Sequence, residues 1–301
     1  MNLTQSKVDA SSKGFQKLQL KAYEGAKPEW RMYAMETTST GASETYDFLN
    51  GLPGMKEMGG EAAIRNISTS GFTIVNKEFE ATVGVKVADV ERDKLGIYSN
   101  EFSEMGSDAA FHPDELCAEL LNKGFVNKDY TNKAFFAEDK KLNPEDNSNK
   151  ARKFTNKGTA ALDGPSFSAA RTSLRKRTNA EGKNLKLGKK LLLIVPPALE
   201  EVANKLMTAE ELNGSTNTLR NAAEVLVINE LSSDTAWFLI EVGKNVKPLI
   251  VQYEVKPMWA QVTNLNDSHV VLKKTFLYQV YDRKNVGYGM PQLAYGSTGA
   301  G

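Results

Sequence analysis

The strongest pattern in the chain is an alternation of apolar and polar residues that turns into a helical repeat between residues 71 and 125. In its first part the odd-numbered positions are apolar and the even-numbered ones mostly polar, which is the period of a half-buried strand. The apolar positions of this strand are Phe79, Ala81, Val83, Val85 and Val87. Phe72 and Ile74 are apolar on the opposite parity, so the pattern predicts a bulge or a strong twist near Asn76.

In the second part the apolar residues recur at steps of three, four or seven, which predicts an amphipathic helix over residues 95–124. Its apolar stripe contains Leu95, Tyr98, Phe102, Met105, Ala109, Leu116 and Leu120. Pro113 lies inside the stripe, yet the apolar phase continues beyond it. The pattern therefore predicts one helix with a kink at Pro113, or two nearly coaxial helices, and a length of roughly 40 Å. We call this predicted helix, residues 95–124, the spine.

The segments before this spine are polar or extended. Residues 1–27 have only weak apolar spacing, which predicts an N-terminal arm whose order depends on a partner. Residues 36–85 are predicted to form an extended segment, an irregular tip and a long return strand. Because an isolated two-stranded hairpin is marginally stable in water, and no third strand or covering helix intervenes, we expect a neighbouring molecule to support it. This is the main physical indication of an oligomer.

The segments after the spine predict a small α/β lobe and a pair of long strands. A polar stretch up to about Pro165 indicates a surface excursion, and Pro196 and Pro197 open a helix that follows a buried strand. The predicted strands are Leu191–Val195, Val225–Ile228, Trp237–Val242, Leu249–Val255 and Val270–Val280. The glycine-rich tail from Gly296 is expected to be disordered.

Composition narrows the possible classes of protein. The 301 residues are 41% hydrophobic and 25% charged, with no apolar run of membrane-spanning length and no apolar signal core, so no membrane association is expected. Cys117 is the only cysteine, which excludes intrachain disulfides and favours a small buried hydrophobic side chain. The net charge of +1 excludes the overall basicity of a protein whose main role is to grip nucleic acid.

The charge is nevertheless uneven along the chain, because one interval concentrates basic residues. These are Lys150, Arg152, Lys153, Lys157, Arg171, Arg175, Lys176, Arg177, Lys183, Lys186, Lys189 and Lys190. One interpretation is a solvated basic face whose charge is compensated by acidic residues of the same chain, namely Glu200, Glu201, Glu210 and Glu211. The other is a contact with nucleic acid or with another subunit.

Candidate chemistry is sparse, so no catalytic, metal or cofactor site is predicted. Gly182 and Gly188 are spaced one residue too far apart for a phosphate-binding loop, and they precede their strand instead of following it. His112 with Glu115 lacks an evident third metal ligand, which favours a packing role for the histidine at the kink. His269 lies in a predicted turn and is expected at the surface. A soluble enzyme, with a site that is assembled only in three dimensions, remains the alternative from another class.

Several stretches resemble the major head (capsid) subunit of Mu-like bacteriophages and prophages. They are Thr45–Leu49, Pro53, Lys56–Glu57, Gly71–Val85, Leu95–Tyr98, Phe102–Gly106, Pro113–Leu116, Thr235–Leu239, Lys247–Ile250, Val286–Gly289 and Gln292–Ala294. The matches follow the order of the family over roughly residues 28–125 and 235–295. The middle departs from it, since Ala137–Asn143 lacks the His-Pro pair that the family has there.

The resemblance implies an α+β fold of the Hong Kong 97 type, with an N-terminal arm, an extended loop (E-loop), a peripheral domain built on the spine helix, and an axial α/β domain. The implied boundaries are 1–34 for the arm, 35–87 for the E-loop, 88–130 and 246–293 for the peripheral domain, 131–245 for the axial domain and 294–301 for a flexible tail.

The implied function is self-assembly, through pentamers and hexamers, into the icosahedral head of a tailed phage or prophage that encloses double-stranded DNA. An encapsulin-like shell around a protein cargo is the alternative within the same fold. Expected partners are other copies of the chain, non-specifically bound DNA, a portal, a scaffold or protease and a decoration protein; the expected location is the virion, assembled in the host cytoplasm. Expected inter-subunit contacts at the E-loop tip are Leu52, Pro53, Met55, Lys56, Glu57 and Arg65. Trp30 and Tyr33 are expected to pack under a neighbour's spine.

Overall fold

The structure is a computed structural model that describes residues 3–46, 72–144, 146, 148, 150–179, 182–212 and 214–301. The helices are α1 (Gln5–Gly25), α2 (Trp30–Tyr33), α3 (Val87–Glu91), α4 (Ser99–Asn122), α5 (Gly164–Arg175), α6 (Glu200–Thr208) and α7 (Ser268–Lys273). The strands are β1 (Ala34–Thr38), β2 (Ser43–Tyr46), β3 (Phe72–Val75), β4 (Lys77–Lys86), β5 (Lys140–Lys141), β6 (Lys153–Phe154), β7 (Lys157–Gly158), β8 (Leu191–Val195), β9 (Glu211–Leu212), β10 (Ser215–Thr216), β11 (Glu224–Val227), β12 (Trp237–Glu241), β13 (Leu249–Val262), β14 (Thr275–Tyr288) and β15 (Ala294–Ser297).

Two larger sheets organise these elements. The peripheral sheet has the order β1-β13-β14-β4, in which β1 is parallel to β13 and the other pairs are antiparallel. The axial sheet has the order β11-β8-β12-β15-β7. Every residue of β8 and of β12 is buried, as expected for strands that are covered on both faces.

The spine helix α4 joins both sheets. Phe102 and Met105, in its first half, pack against α1 and the peripheral sheet. Cys117 and Leu121, in its second half, enter a core that also contains Ile194 of the axial sheet. The spine therefore holds the two sheets together, and the predicted burial of Cys117 is confirmed.

The opposite parity of Phe72 and Ile74 also predicts that the buried face changes near Asn76. The structure confirms this change, but through a break between β3 and β4 instead of a bulge. Asn76 lies between the two strands, and its backbone N–H donates to the carbonyl oxygen of Ala42. Ile74 is buried before the break and Val85 after it, so the buried parity changes at this point.

The expectation that the return strand needs a neighbour for support is wrong. Strand β4 pairs along its whole length with β14 of the same chain, from Lys86 opposite Thr275 to Lys77 opposite Lys284. Its partner lies about 200 residues later in the sequence, too far for a local pattern to reveal.

The N-terminal segment also differs from its prediction, because residues 5–25 form a 21-residue helix on the subunit's own spine. Phe15 stacks on Phe102 of the spine at a centroid distance of 4.1 Å. The buried stripe of α1 is half polar: the Ser12 hydroxyl bonds the Tyr278 hydroxyl at 2.8 Å, and Gln19 donates to the sulfur of Met105. Since these polar groups are paired inside the core, their burial costs little, but they hide the helical period from the sequence.

Two predictions for the C-terminal part are also corrected. Residues 268–273 form helix α7 instead of a strand, because the Asp267 side chain accepts the His269 N–H and caps its first turn. The tail expected to be disordered contributes β15 to the axial sheet, and the backbone N–H of Gly301 still donates to Thr159 at 2.8 Å. Backbone hydrogen bonds hold this tail, and a hydropathy pattern does not register them.

Candidate inter-subunit surfaces

The two ends of the E-loop meet in a short antiparallel hairpin, in which β2 pairs with β3. Gln252 on β13 fastens this hairpin to the peripheral sheet and is fully buried. Its Oε1 accepts the Tyr46 hydroxyl at 2.7 Å, and its Nε2 donates to Asn76 Oδ1 at 2.7 Å. The Tyr46 oxygen also lies 2.7 Å from the Thr37 hydroxyl. The base of the loop is therefore a fixed part of the subunit body.

The residues predicted at the tip of the loop lie outside the described residues. They are Leu52, Pro53, Met55, Lys56, Glu57 and Arg65. Their contact with a neighbouring subunit stays a prediction.

The start of the body is tied to the spine by Asp114. The backbone N–H of Trp30 donates to Asp114 Oδ1 at 2.5 Å, and that of Glu29 donates to Oδ2 at 3.3 Å. Burial raises the pKa of the Asp114 carboxyl to about 6, although both hydrogen bonds favour its charged form. The carboxylate thus holds the first turn of α2 against α4.

Trp30 and Tyr33 were expected under a neighbour's spine, and this expectation is wrong for their side chains. They are 1% and 0% exposed within the subunit itself and share a core with Leu121 of its own spine. No surface is left on them for another molecule. The sequence pattern of an aromatic pair is the same whether the pair packs under the spine of its own subunit or under that of a neighbour. Here the hydrogen bonds to Asp114 hold the pair against its own spine.

Pro113 lies inside a single continuous helix, so the alternative of two coaxial helices is not observed. The ring of Pro113 is buried, and the residue has no N–H to donate to the carbonyl of Ala109 one turn earlier. A bend of the spine at this residue stays a prediction.

His112, one residue before the proline, borders a groove of about 320 Å³ between the spine and strands β4 and β14. Its ring meets Phe79 edge-on, with centroids 4.4 Å apart, which agrees with the predicted packing role. Burial and the nearby Lys284 charge lower the pKa of His112 to about 4. The groove also has an acidic lining, formed by Glu80, Asp108, Glu115 and Asp282.

Among the described ranges, no group of three or more histidine, cysteine, aspartate or glutamate side chains could hold a metal ion. Over the same ranges, no helix is both long enough and apolar enough to cross a membrane.

The basic interval divides into buried and exposed members. Arg177 is 5% exposed, and its guanidinium donates to the carbonyl oxygens of Gln292 at 2.5 Å and Ala294 at 2.9 Å. Burial lowers its pKa to about 9. Arg177 thus anchors the C-terminal tail, whereas Lys153 and Lys176 line an open groove above it.

Gln252, Asp114 and Arg177 fix the base of the loop, the start of the body and the tail, and the sequence did not predict these roles. Gln252 left a signal, since it is a polar residue between the apolar run Leu249–Val251 and Tyr253, in the part of β13 that is buried. Arg177 was visible only as one member of a charge run, and Asp114 as one of a carboxylate pair.

Comparison with known proteins identifies the family. The sequence profile described as "Mu-like prophage major head subunit gpT" matches residues 8–165, 153–231 and 227–300, which together span nearly the whole chain. The chain belongs to the Mu-like prophage major head subunit family.

Three relatives illustrate the similarity. The head subunit is 28% identical to the major capsid protein of Escherichia phage Mu over 92% of this chain and 68% of that protein. It is 27% identical to the Mu-like prophage FluMu major head subunit of Haemophilus influenzae over 99% of this chain and 75% of that protein. It also resembles the subunit in the procapsid of bacteriophage JBD30, with a TM-score of 0.62 and 27% identity over 98% of this chain and 76% of that one.

These findings confirm the family resemblance, the Hong Kong 97-type α+β fold and the function of a tailed-phage major capsid protein. The head subunit is a component of a phage capsid and assembles with other copies of itself. Its relatives are named as head or capsid subunits, so the encapsulin-like alternative is not favoured.

Proposed function

We propose that this head subunit builds an icosahedral shell from pentamers and hexamers, and that the shell encloses double-stranded DNA. The observation that carries the proposal is the family match along nearly the whole chain. The fold supports it, because a spine that joins a peripheral and an axial sheet gives one rigid body with two separate regions for contact.

In this assembly each region has its own role. The tip of the E-loop, residues 35–87, contacts a neighbouring subunit, whereas its ends β1 and β4 belong to the peripheral sheet of the subunit that carries it. The peripheral domain, residues 88–130 and 246–293, surrounds each capsomer, and the axial domain, residues 131–245, lies at its centre. The N-terminal residues 1–34 and the tail 294–301 brace the subunit that carries them, as the packing of α1 and β15 suggests.

The stability of the shell comes from the sum of many interfaces. A standard specific interface buries about 1,600 Å² in total. Since each subunit meets several neighbours, contacts that are individually weak add up to a closed shell. The fixed base of the E-loop reduces the entropic cost of docking the loop, because its two ends are already ordered.

The remaining partners follow from the same assignment. Shell assembly takes place in the host cytoplasm with a scaffold or protease, the portal occupies one vertex, and a decoration protein binds outside. Packaged DNA contacts the shell without sequence specificity.

Negative-stain microscopy of the purified full-length chain tests the central claim. Closed shells, tubes or capsomers are expected; a protein that stays at the 33.1 kDa of one chain in light scattering at high concentration would refute it. Nucleic-acid content of shells recovered from lysogenic cells distinguishes the genome container from the cargo compartment, since an encapsulin-like shell holds protein and no DNA.

Deletion of residues 51–66 tests the role of the loop tip. The shortened subunit should stay soluble, with the wild-type circular dichroism spectrum, and should fail to form shells, because the loop tip binds a neighbouring subunit and not its own body. Shells in normal yield would contradict this role.

A further inference from the structure

The exposed charges of the axial lobe are separated into two groups. Residues 150–190 contain twelve basic and two acidic residues, a net charge of +10, whereas residues 197–230 contain six acidic and two basic residues, a net charge of −4. One interpretation of the sequence is that the acidic group neutralises the basic group within the same chain. The structure shows where each group lies.

Three members of the basic group lie on or near the β7 edge of the axial sheet. Lys157 lies on the edge strand β7 itself, and Lys153 lies on β6, just before it in the chain. Lys176 follows helix α5, which packs on β15 beside that edge, and lines the same groove as Lys153. We call Lys153, Lys157 and Lys176 the basic edge. None of the three takes part in an ion pair within the described part of the chain.

The acidic group borders the opposite, β11 edge. Glu224 begins the edge strand β11, and Glu200 and Glu201 open helix α6, which packs on β11 and β8. All three are exposed. We call Glu200, Glu201 and Glu224 the acidic edge. Within the described ranges it has no ion-pair partner either, since the exposed pair Arg220–Glu210 involves other residues.

The edge strands β7 and β11 are too far apart for Lys157 and Glu224 to neutralise each other within one subunit. Five strands in the order β11-β8-β12-β15-β7 place four spacings of about 4.8 Å between the edges, roughly 19 Å. The Debye length at physiological ionic strength is about 8 Å. The strand order fixes no such distance for the other members of the two groups, and Lys189 and Lys190 directly precede β8, the neighbour of β11. The interpretation of a basic face answered by glutamates of the same chain is therefore wrong only for the residues on the two edge strands.

A ring of identical subunits offers a way to satisfy both edges. In a head-to-tail ring each copy contributes two different surfaces to its two interfaces, so the surfaces must complement each other. A two-fold contact would instead place each edge against a copy of itself, with like charges opposed. Helices α5 and α6 also lie on the same face of the sheet, because Phe167 and Ala203 share one core, so both charged edges border the same side of the lobe.

We propose that the basic edge of one head subunit contacts the acidic edge of the next subunit around each pentamer and hexamer. This inference rests on the proposed shell assembly and adds to it the residues that set the direction of the ring. The charges steer adjacent lobes into one orientation and disfavour the reversed one.

Charge reversal in three full-length variants tests the proposal. The basic-edge variant carries Lys153→Glu, Lys157→Glu and Lys176→Glu; the acidic-edge variant carries Glu200→Lys, Glu201→Lys and Glu224→Lys; the combined variant carries all six. Each single-edge variant opposes like charges at every ring interface, so shell yield in sedimentation and negative stain should fall about tenfold or more. The combined variant restores opposite charges at every interface and should recover most of the yield.

The recovery separates this proposal from contact with DNA. If the basic edge binds phosphates of the packaged genome, the combined variant stays defective in packaging and the acidic-edge variant behaves as wild type; either result overturns the proposal. Normal shell yield from both single-edge variants overturns it as well. The thermal midpoints of the unassembled subunits should stay close to the wild type, since five of the six substituted side chains are exposed and Lys157 is half-buried.

A mixing experiment keeps the proposal testable without closed shells. The basic-edge variant has two acidic edges and the acidic-edge variant has two basic ones, so the two should associate in sedimentation velocity when mixed and less when alone, and added salt should weaken the association. No gain on mixing would overturn the inference. Failure of the wild type to form any ring or shell would count separately, against the proposed function.

Discussion

His112 gives the sharpest prediction about stability, because its environment keeps it neutral. Its ring is packed against Phe79, and Lys284 lies close enough to disfavour a second positive charge. The pKa of the histidine therefore falls from 6.5 to about 4 in the folded subunit. Between pH 6.5 and about 4, His112 is protonated in the unfolded chain but stays neutral in the folded chain. The contribution of His112 is thus fully present above pH 6.5 and is lost as the pH falls towards 4.

The size of the effect follows from the two pKa values. At pH 5 the linkage relation gives a loss of about 2 kcal/mol relative to pH 8, and partial access of water to the ring reduces this to about 1 kcal/mol. Asp114 acts in the opposite direction, since its pKa rises from 3.8 to about 6 on folding. The folded chain takes up that proton first, so Asp114 adds a similar amount of stability over the same interval. The two effects nearly cancel in the wild type.

Variants separate the two contributions. Urea unfolding of unassembled subunits at pH 7 and pH 5 gives two free energies of unfolding for each variant, and their difference cancels packing effects that do not depend on pH. His112→Gln should make the subunit about 1 kcal/mol more resistant to acid than the wild type. Asp114→Asn keeps an oxygen that can accept the Trp30 N–H and should make the subunit less resistant by a similar amount. If both variants show the pH dependence of the wild type, the reasoning is refuted.

Three further predictions concern buried contacts, each measured by urea unfolding of unassembled subunits. Arg177→Leu removes the donor that holds the tail carbonyls and should cost about 3–5 kcal/mol, with faster amide exchange in β15; a destabilisation below about 1 kcal/mol would contradict the anchor role. Lys140→Met leaves the buried Asp129 carboxylate without its cation and should cost about 3 kcal/mol, most of which Asp129→Asn in the same chain should recover; no recovery would argue against the pair. Gly106→Ala drives a Cβ into the Gln19 carbonyl oxygen of α1 and should cost about 1–3 kcal/mol, whereas Gly14→Ala, which meets nothing within 4 Å, should add about 0.5–1 kcal/mol; equal effects would contradict close packing of the two helices.

The sequence predicted the strand and spine because each has a strong apolar period of its own. Strand β4 and helix α4 were both recovered, as was the change of face at Asn76. Helix α1 was missed because Ser12 and Gln19 occupy half of its buried stripe, and a polar side chain that is hydrogen-bonded in a core looks exposed in a hydropathy pattern. The pairing of β4 with β14 was missed because sheet partners far apart in sequence leave no local signal.

The C-terminal tail and the charged edges show a second kind of feature that a sequence pattern does not predict. Gly296 and Gly299 have no side chain whose polarity could indicate burial in the sequence. Nevertheless, Gly296 lies in strand β15 and Gly299 packs against the backbone of Thr235. The basic interval was evident as a run of lysines and arginines, but only the strand order shows that Lys157 and Glu224 lie on opposite edges of the sheet. The number of charges can be counted from the sequence, but the distance between them depends on the order of the strands in the sheet.

The spine links Trp30 and Tyr33, which lie in the subunit's own core, to the start of the E-loop. Its first half is packed by α1 and its second half by α2 and the axial sheet, with the buried ring of Pro113 between them. Asp114, next to the proline, ties this point of the spine to α2, and β1 follows α2 directly on its way to the E-loop. A change in the spine at Pro113 would therefore be passed to the start of the loop through one carboxylate. Trp30 and Tyr33 are buried in the core beside that contact and support the start of β1, so they leave no surface of their own for another subunit.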